Sequence, residues 1–145
     1  MKPCVLGFYG ESNTGKTMLI VDLIKRLTHD GFKVATIKKS DKEIKLDSPG
    51  KDTFRHSEAG AGLTALSSKN ETDFIIKKNL KTIDIISVIS QIEQFDFIFV
   101  ESATDESIPK IRIGAISKRK NTIFDYDNDF EKLYSWIKNK EIKGE

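Results

Sequence analysis

Eight residues near the amino end, Gly10-Glu11-Ser12-Asn13-Thr14-Gly15-Lys16-Thr17, have the spacing G-x-x-x-x-G-K-[ST]. That pattern suits a polyphosphate. Glycines let a loop wrap an anion so that successive backbone N–H groups point inward, and a helix beginning at the end of the loop adds its partial positive charge. Lys16 would reach the outer phosphates as a point charge. Thr17 would offer a compact hydroxyl oxygen to a magnesium ion bridging phosphate oxygens. Several charge-assisted hydrogen bonds, each worth about 1.5–3 kcal/mol, together support micromolar affinity. The candidate nucleotide-binding stretch is therefore Gly10, Glu11, Ser12, Asn13, Thr14, Gly15, Lys16, Thr17 and Met18, with Lys16 as the cation acting on the transferred phosphate. A plain glycine-rich turn with an incidental lysine is the competing reading. It fits less well, because a strand must precede such a loop and a helix must follow it, and both flanks read that way.

A magnesium site of this kind also needs an acid at the carboxyl end of a buried strand. Two carboxylates bracket the apolar run "FIFV": Asp96 before it and Glu101 after it. Glu101 is the candidate metal and catalytic acid, and Asp96 reads as a turn residue. A third candidate region is "LDSPGKDTFRHSEAGA", in which Pro49-Gly50 marks a turn and Asp52 or Thr53 could cap a short helix running to about Gly60. Lys51 and the start of that helix could then form a second anion site.

These groups must be positioned by alternating strands and helices. "CVLGFYG" is a short apolar run that reads as a fully buried strand. Ile20, Leu23, Ile24 and Leu27 recur at helical spacing, and "KVATIKKS" reads as a second, parallel strand. "LTALSS" and "TDFIIKK" form a hairpin pattern. "KTIDIISVISQIEQF" places Ile85, Ile86, Ile89 and Ile92 on one helical face, and "FDFIFVE" and "KIRIGAIS" are further strands. Phe130, Leu133, Tyr134 and Ile137 mark a final helix. The expected fold is α/β, a three-layer arrangement with a mostly parallel mixed sheet and helices on both faces.

At 145 residues the chain is expected to form a single domain spanning 1–145. Its 24 basic and 22 acidic residues nearly cancel and are scattered, which argues against nucleic acid as a partner. The lysine groups Lys77-Lys78-Lys81 and Lys118-Arg119-Lys120 read as solvated faces. The single Cys4 excludes an internal disulfide, and with only His29 and His56 it makes no zinc pattern. No apolar run approaches the roughly 18 residues of a membrane span, so no membrane partner and a cytoplasmic location are expected. His56 reads as a boundary residue, Cys4 as a small hydrophobe and Trp136 as core or interface.

"GESNTGKT", "ATIKKS", "LDSPGKDTFRHSEAGA" and "FDFIFVES", in this order, resemble the molybdopterin-guanine dinucleotide biosynthesis protein B (MobB) family. The first element is generic to P-loop proteins, while the "DSPGKDT" segment narrows the match. The resemblance covers roughly residues 4 to 102. It implies a SIMIBI-type P-loop NTPase fold, GTP and Mg2+ as ligands, weak GTPase activity and a homodimer. It also implies a partner, the molybdenum cofactor guanylyltransferase that joins GMP to molybdopterin. On the resemblance Gly10 to Thr17 hold the phosphates, Glu101 matches the acid of the family's V-E-G strand end, and the segment of Asp47, Gly50, Lys51, Asp52 and Thr53 falls near the nucleotide, where it would act as a switch.

Departures from the family pattern are specific. Ile37-Lys38-Lys39 stands where relatives read I-K-H, and Ser102-Ala103-Thr104 stands where they read G-F-K. The guanine-reading N-K-x-D pattern is absent, and Lys118 lies where an aspartate is expected. Asp125 or Asp127 could substitute only if the chain turns back, so the residues themselves also permit ATP. The alternative function is a small P-loop kinase transferring the γ-phosphate to a metabolite. Such enzymes need an arginine-bearing lid, and Arg26, Arg55, Arg112 and Arg119 are not placed as one in the sequence.

Overall fold

The computed structural model describes residues 2–142. Where the sequence reads as one domain, these residues form two compact units: one built from the residues up to Ser40 and those from Thr82 onward, the other from Asp41–Lys81.

The first unit holds a five-stranded sheet in the order β2-β5-β1-β6-β7. Its strands are β1 (Cys4–Gly10), β2 (Val34–Lys38), β5 (Phe97–Glu101), β6 (Lys110–Ile113) and β7 (Thr122–Tyr126), and its helices are α1 (Lys16–His29), α3 (Thr82–Ile92) and α4 (Phe130–Ile142). Every pairing in this sheet is parallel. The mostly parallel sheet expected from sequence is thus present, with all its pairings parallel and the antiparallel pair confined to the second unit. β7 has no counterpart in the sequence reading. Its "TIFDY" alternates half-buried and exposed positions at the sheet edge, a weak signal beside the apolar runs of β1 and β5.

Those runs are continuous because both faces of a central parallel strand are covered. Leu6 and Phe8 of β1, with Phe97 and Phe99 of β5, pack against Leu19, Ile20, Leu23 and Leu27 of α1 and Leu133, Tyr134 and Ile137 of α4. Phe8 and Phe99 meet edge to face with ring centroids 5.1 Å apart. The alternate residues Ile98 and Val100, with Val5, Ala35 and Ile37, face Ile85, Ile86 and Ile89 of α3. Fully burying a leucine such as Leu23 or Leu133 contributes about 1.5–3 kcal/mol, which is why the helical period decides the position of α1 and α4. Ile92, expected on the same buried stripe, is 63% exposed at the last position of α3. Tyr134 Oη donates to Asp30 Oδ2 at 2.5 Å, tying α4 to the end of α1. Trp136 packs on Phe124 of β7, with centroids 4.7 Å apart.

The second unit contains α2 (Asp52–Glu58) and the antiparallel hairpin of β3 (Leu63–Ser67) and β4 (Thr72–Ile76). The hairpin matches its sequence signal. The helix cap does not: Lys51 is the residue that precedes the helix, in extended conformation and without a side-chain cap bond, and Asp52 occupies the first helical position. Thr53 is engaged elsewhere, donating from Oγ1 to Asp47 Oδ1 at 3.1 Å. Among the described residues no helix is long and apolar enough to cross a membrane.

Candidate functional site

Parallel register brings the carboxyl ends of β1, β2 and β5 to one edge: Phe8 and Lys38 are both in register with Glu101, and β1 runs on to Gly10. The loop Gly10–Gly15 leaves from this edge and α1 begins at Lys16. It is a compact turn, not an extended crossing. Asn13 and Gly15 both take left-handed conformations, with φ of 64° and 81°, and residues 11 to 15 are exposed. Gly15 supplies that conformation at no steric cost at the point where the chain enters the helix. Gly10 is needed for close approach, since a Cβ there would lie 2.6 Å from the Ile113 carbonyl oxygen and 3.0 Å from Thr14 Oγ1. Thr14 Oγ1 donates to the Glu11 carbonyl at 2.6 Å, closing the turn on itself.

Lys16 is half-buried, and its Nζ lies 3.4 Å from the Gly10 carbonyl, folded back along the loop. Thr17 Oγ1 donates to Glu101 Oε1 at 2.5 Å. Lys38 Nζ reaches Glu101 Oε2 at 3.0 Å. Burial, which by itself would raise the Glu101 pKa, is outweighed by the Thr17 and Lys38 hydrogen bonds and by the nearby ammonium groups, so the carboxyl is held below its ordinary value. It is an ionised acceptor with its side chain only 12% exposed. Met18, by contrast, is 62% exposed and turned away from the core.

The structure thus brings Gly10 to Thr17 and Glu101 together as one cluster. Asp47, Gly50, Lys51, Asp52 and Thr53 belong to the second unit, the first three in the turn before α2 and the last two in its opening residues. Sequence reasoning missed Lys38. The signal was present, because a lysine ending a strand that neighbours the acid's strand must meet it at the same sheet edge.

The peptide after Glu101 is also shaped by this edge. Ser102 N–H and Ala103 N–H both donate to the Phe8 carbonyl, at 2.8 and 3.2 Å, and Ser102 is held at φ 63°. Arg119, expected on a solvated face, instead donates to the Ala103 carbonyl at 2.6 Å and lies 4.7 Å above the Tyr9 ring. The buried Lys110 donates to the carbonyls of Ile108 and Lys120, each at 2.9 Å. The carboxylates considered for base reading are engaged: Asp125 with Arg112 at 2.7 Å and Lys118 at 3.4 Å, and Asp127 with Lys132 at 2.8 Å. Arg26 is paired with Glu131 at 3.0 Å, so three of the four arginines are held by the first unit itself rather than offered to a substrate.

The donor set fits a nucleotide-bound magnesium ion. A hydroxyl and a carboxylate are hard oxygen ligands, and Mg2+ commonly takes one or two such protein groups together with phosphate oxygens and water. Among the described residues no group of three or more His, Cys, Asp or Glu side chains is placed to hold a metal. Any magnesium here would therefore depend on the nucleotide for the rest of its shell.

Comparison with known proteins agrees with this architecture. The family model for molybdopterin guanine dinucleotide synthesis protein B matches residues 5–135. A relative from Methanocaldococcus jannaschii is 34% identical over 111 residues, covering 74% of this chain and 45% of the relative. The molybdopterin-guanine dinucleotide biosynthesis adapter protein of Haemophilus influenzae is 33% identical over 109 residues, covering 74% of this chain and 61% of its own length. The chain thus spans about half the length of these curated relatives. The crystal structure of Bacillus subtilis MobB superposes with a TM-score of 0.72 at 16% identity, over 93% of this chain and 96% of that one, and so shares the P-loop NTPase-like α/β fold. With the loop, the strand-end acid and the sheet order all in place over the matched span, the chain belongs to the MobB family, molybdopterin guanine dinucleotide synthesis protein B.

Proposed function

We propose that the chain is a nucleotide-binding adapter in molybdopterin guanine dinucleotide synthesis, taking GTP with Mg2+ through Gly10–Met18 and assisting a guanylyltransferase that joins GMP to molybdopterin. The observation that carries this reading is the convergence of Lys16, Thr17 and Glu101 at the end of β1 and β5. The adapter role is supported by the family match and by the names of its relatives.

Bound Mg2+ would supply charge neutralisation between the phosphate oxygens. Thr17, through a lone pair of its hydroxyl oxygen, and Glu101, through its carboxylate, would hold it. Lys16, whose contact with Gly10 is long, would swing its ammonium to the outer phosphate. The loop amides and the start of α1 would orient the chain of phosphates. Hydrolysis on this reading is slow, because Arg26, Arg112 and Arg119 are engaged by other groups and the site serves to bind and present a nucleotide. Homodimer formation is part of the same proposal.

Calorimetric titration of GTP, ATP and their diphosphates, with and without Mg2+, tests it. GTP is expected to bind more tightly than ATP, and Lys16→Ala is expected to weaken binding roughly ten- to a hundredfold, the loss of one charged hydrogen bond of about 1.5–3 kcal/mol. Affinity unchanged in Lys16→Ala would overturn the site.

A further inference from the structure

We propose that the second unit, by itself, carries a binding site for a 2-amino-4-oxopyrimidine ring, the hydrogen-bonding edge shared by pterins and guanine, on a ligand with an anionic substituent. The proposal rests on the molybdopterin guanine dinucleotide reading, because both halves of that product carry this edge.

The first observation is a cavity of about 390 Å³ formed within Asp41–Lys81 and lined by Leu46, Asp47, Lys51, Leu66, Phe74 and Ile75 among others. Its size falls in the range of roughly 300–1,000 Å³ typical of small-molecule sites. The second observation is a missing donor. Asp47 Oδ1 accepts from the Ser48 N–H and from Thr53 Oγ1, both at 3.1 Å, whereas Asp47 Oδ2 is buried with no partner. Among the described residues, the other buried side-chain polar atoms in that condition, Ser57 Oγ and Thr64 Oγ1, also lie in this unit. A carboxylate oxygen buried without a donor is destabilising, and a ligand that supplies an N–H relieves it. Both the ring N–H and the exocyclic amine of a 2-amino-4-oxopyrimidine are such donors, presented in one plane.

The third observation is what surrounds the acceptor. Leu46 is 91% exposed and Phe74 57% exposed, an arrangement in which a flat ring would cover apolar surface that the protein leaves to water. Lys51 places an ammonium on the same lining, suited to a phosphate or carboxylate on the ligand. Asp73 adds a second acceptor and disfavours a ligand of high negative charge. A ring with two adjacent N–H donors, one flat apolar body and one modest anionic group satisfies all of these. An adenine does not, because its edge lacks that donor pair.

The test uses the full chain carrying Lys16→Ala, so that phosphate binding at the loop is weakened, and the response to Asp47→Asn and Phe74→Ala assigns what binding remains to the second unit. Pterin-6-carboxylate, GMP and AMP are titrated separately by fluorescence and calorimetry, up to about 1 mM. At least one of pterin-6-carboxylate and GMP is expected to bind. Asp47→Asn, nearly isosteric, is expected to weaken it at least tenfold, and Phe74→Ala, at an exposed position, at least threefold. Binding of the pterin alone assigns a pterin, binding of GMP alone assigns guanine, and binding of both assigns the shared edge. Binding by neither, AMP binding as tight as GMP, or affinities that neither substitution changes would overturn the proposal. Mg2+-GTP titration of the unsubstituted chain reads the loop separately, so a failure there is distinguishable from a failure here.

Discussion

Thr17 and Glu101, 84 positions apart, are joined by a hydrogen bond of 2.5 Å between Oγ1 and Oε1. It links the first turn of α1 to the last residue of β5 and leaves a hydroxyl and an ionised carboxylate side by side, next to the loop that enters the helix. Lys38 closes the cluster from β2.

Thr17→Ala is expected to reduce Mg2+-dependent GTP affinity roughly ten- to a hundredfold, on the scale of a hydrogen bond to a charged group, about 1.5–3 kcal/mol. Thr17→Ser keeps the oxygen and should retain most of the affinity. Calorimetry with Mg2+ and with chelator checks both. An alanine variant whose affinity responds to Mg2+ as the parent does would remove Thr17 from the metal's shell.

Glu101 makes stability depend on acidity. Its folded pKa is lowered from 4.5, with burial opposed and outweighed by the Thr17 and Lys38 bonds. A carboxyl with a depressed folded pKa contributes stability that is fully present above its unfolded value and is lost as pH falls through the folded value. Lys38→Met removes one of these bonds and should move the Glu101 titration upward toward its unfolded value, so that the acid-dependent loss of stability is smaller and is complete at a higher pH. Carboxyl NMR of Glu101, with urea unfolding measured from about pH 6 to pH 3, reads both effects. An unchanged Glu101 titration in the variant would show that Lys38 has no hold on it.

Gly7→Ala and Gly10→Ala separate packing from binding. A Cβ at Gly7 would lie 2.5 Å from Ala103 Cβ, and at Gly10 2.6 Å from the Ile113 carbonyl oxygen. Both should destabilise by about 1–3 kcal/mol, the ordinary cost of overpacking. Only Gly10→Ala should also weaken nucleotide binding, because it disturbs the entry to the loop. Denaturant midpoints indistinguishable from the parent would contradict the close approach.

Ser102→Gly should stabilise the chain slightly. Relief of the left-handed conformation at φ 63° is worth about 1–2 kcal/mol, offset by the greater freedom glycine gains when unfolded, about 0.4–1 kcal/mol. A net gain of up to about 1.6 kcal/mol in urea unfolding is the expected outcome. A loss would mean that the serine side chain contributes more than its backbone strain removes.

Much of this protein could be read from its residues in order. The eight-residue loop pattern, the apolar runs of β1 and β5, and the helical spacing of Leu23, Leu27, Leu133 and Ile137 are local signals, set by periodicity and by the conformational needs of glycine. The same signals chose Glu101 over Asp96, since ligands collect at the carboxyl ends of parallel strands. Asp96 instead braces the start of the sheet, its Oδ2 accepting from the Lys33 N–H at 2.7 Å.

Other features depended on which strands became neighbours. β2 lies beside β5 rather than β1, and only that order brings Lys38 to Glu101. The partners of Arg119, Lys110 and Asp125 follow from β6 and β7 closing the far side of the sheet. The division at Asp41–Lys81 and the unsatisfied Asp47 oxygen depend on how the hairpin and α2 collapse together. The sequence by itself determined the loop, its flanking strand and helix, and the buried strand that ends at Glu101, because these rest on local geometry and on the burial of regularly spaced side chains. Tertiary structure alone decided which cations face that acid and which polar atoms go unpaired, because those are contacts between segments distant in the chain, set by strand order and close packing.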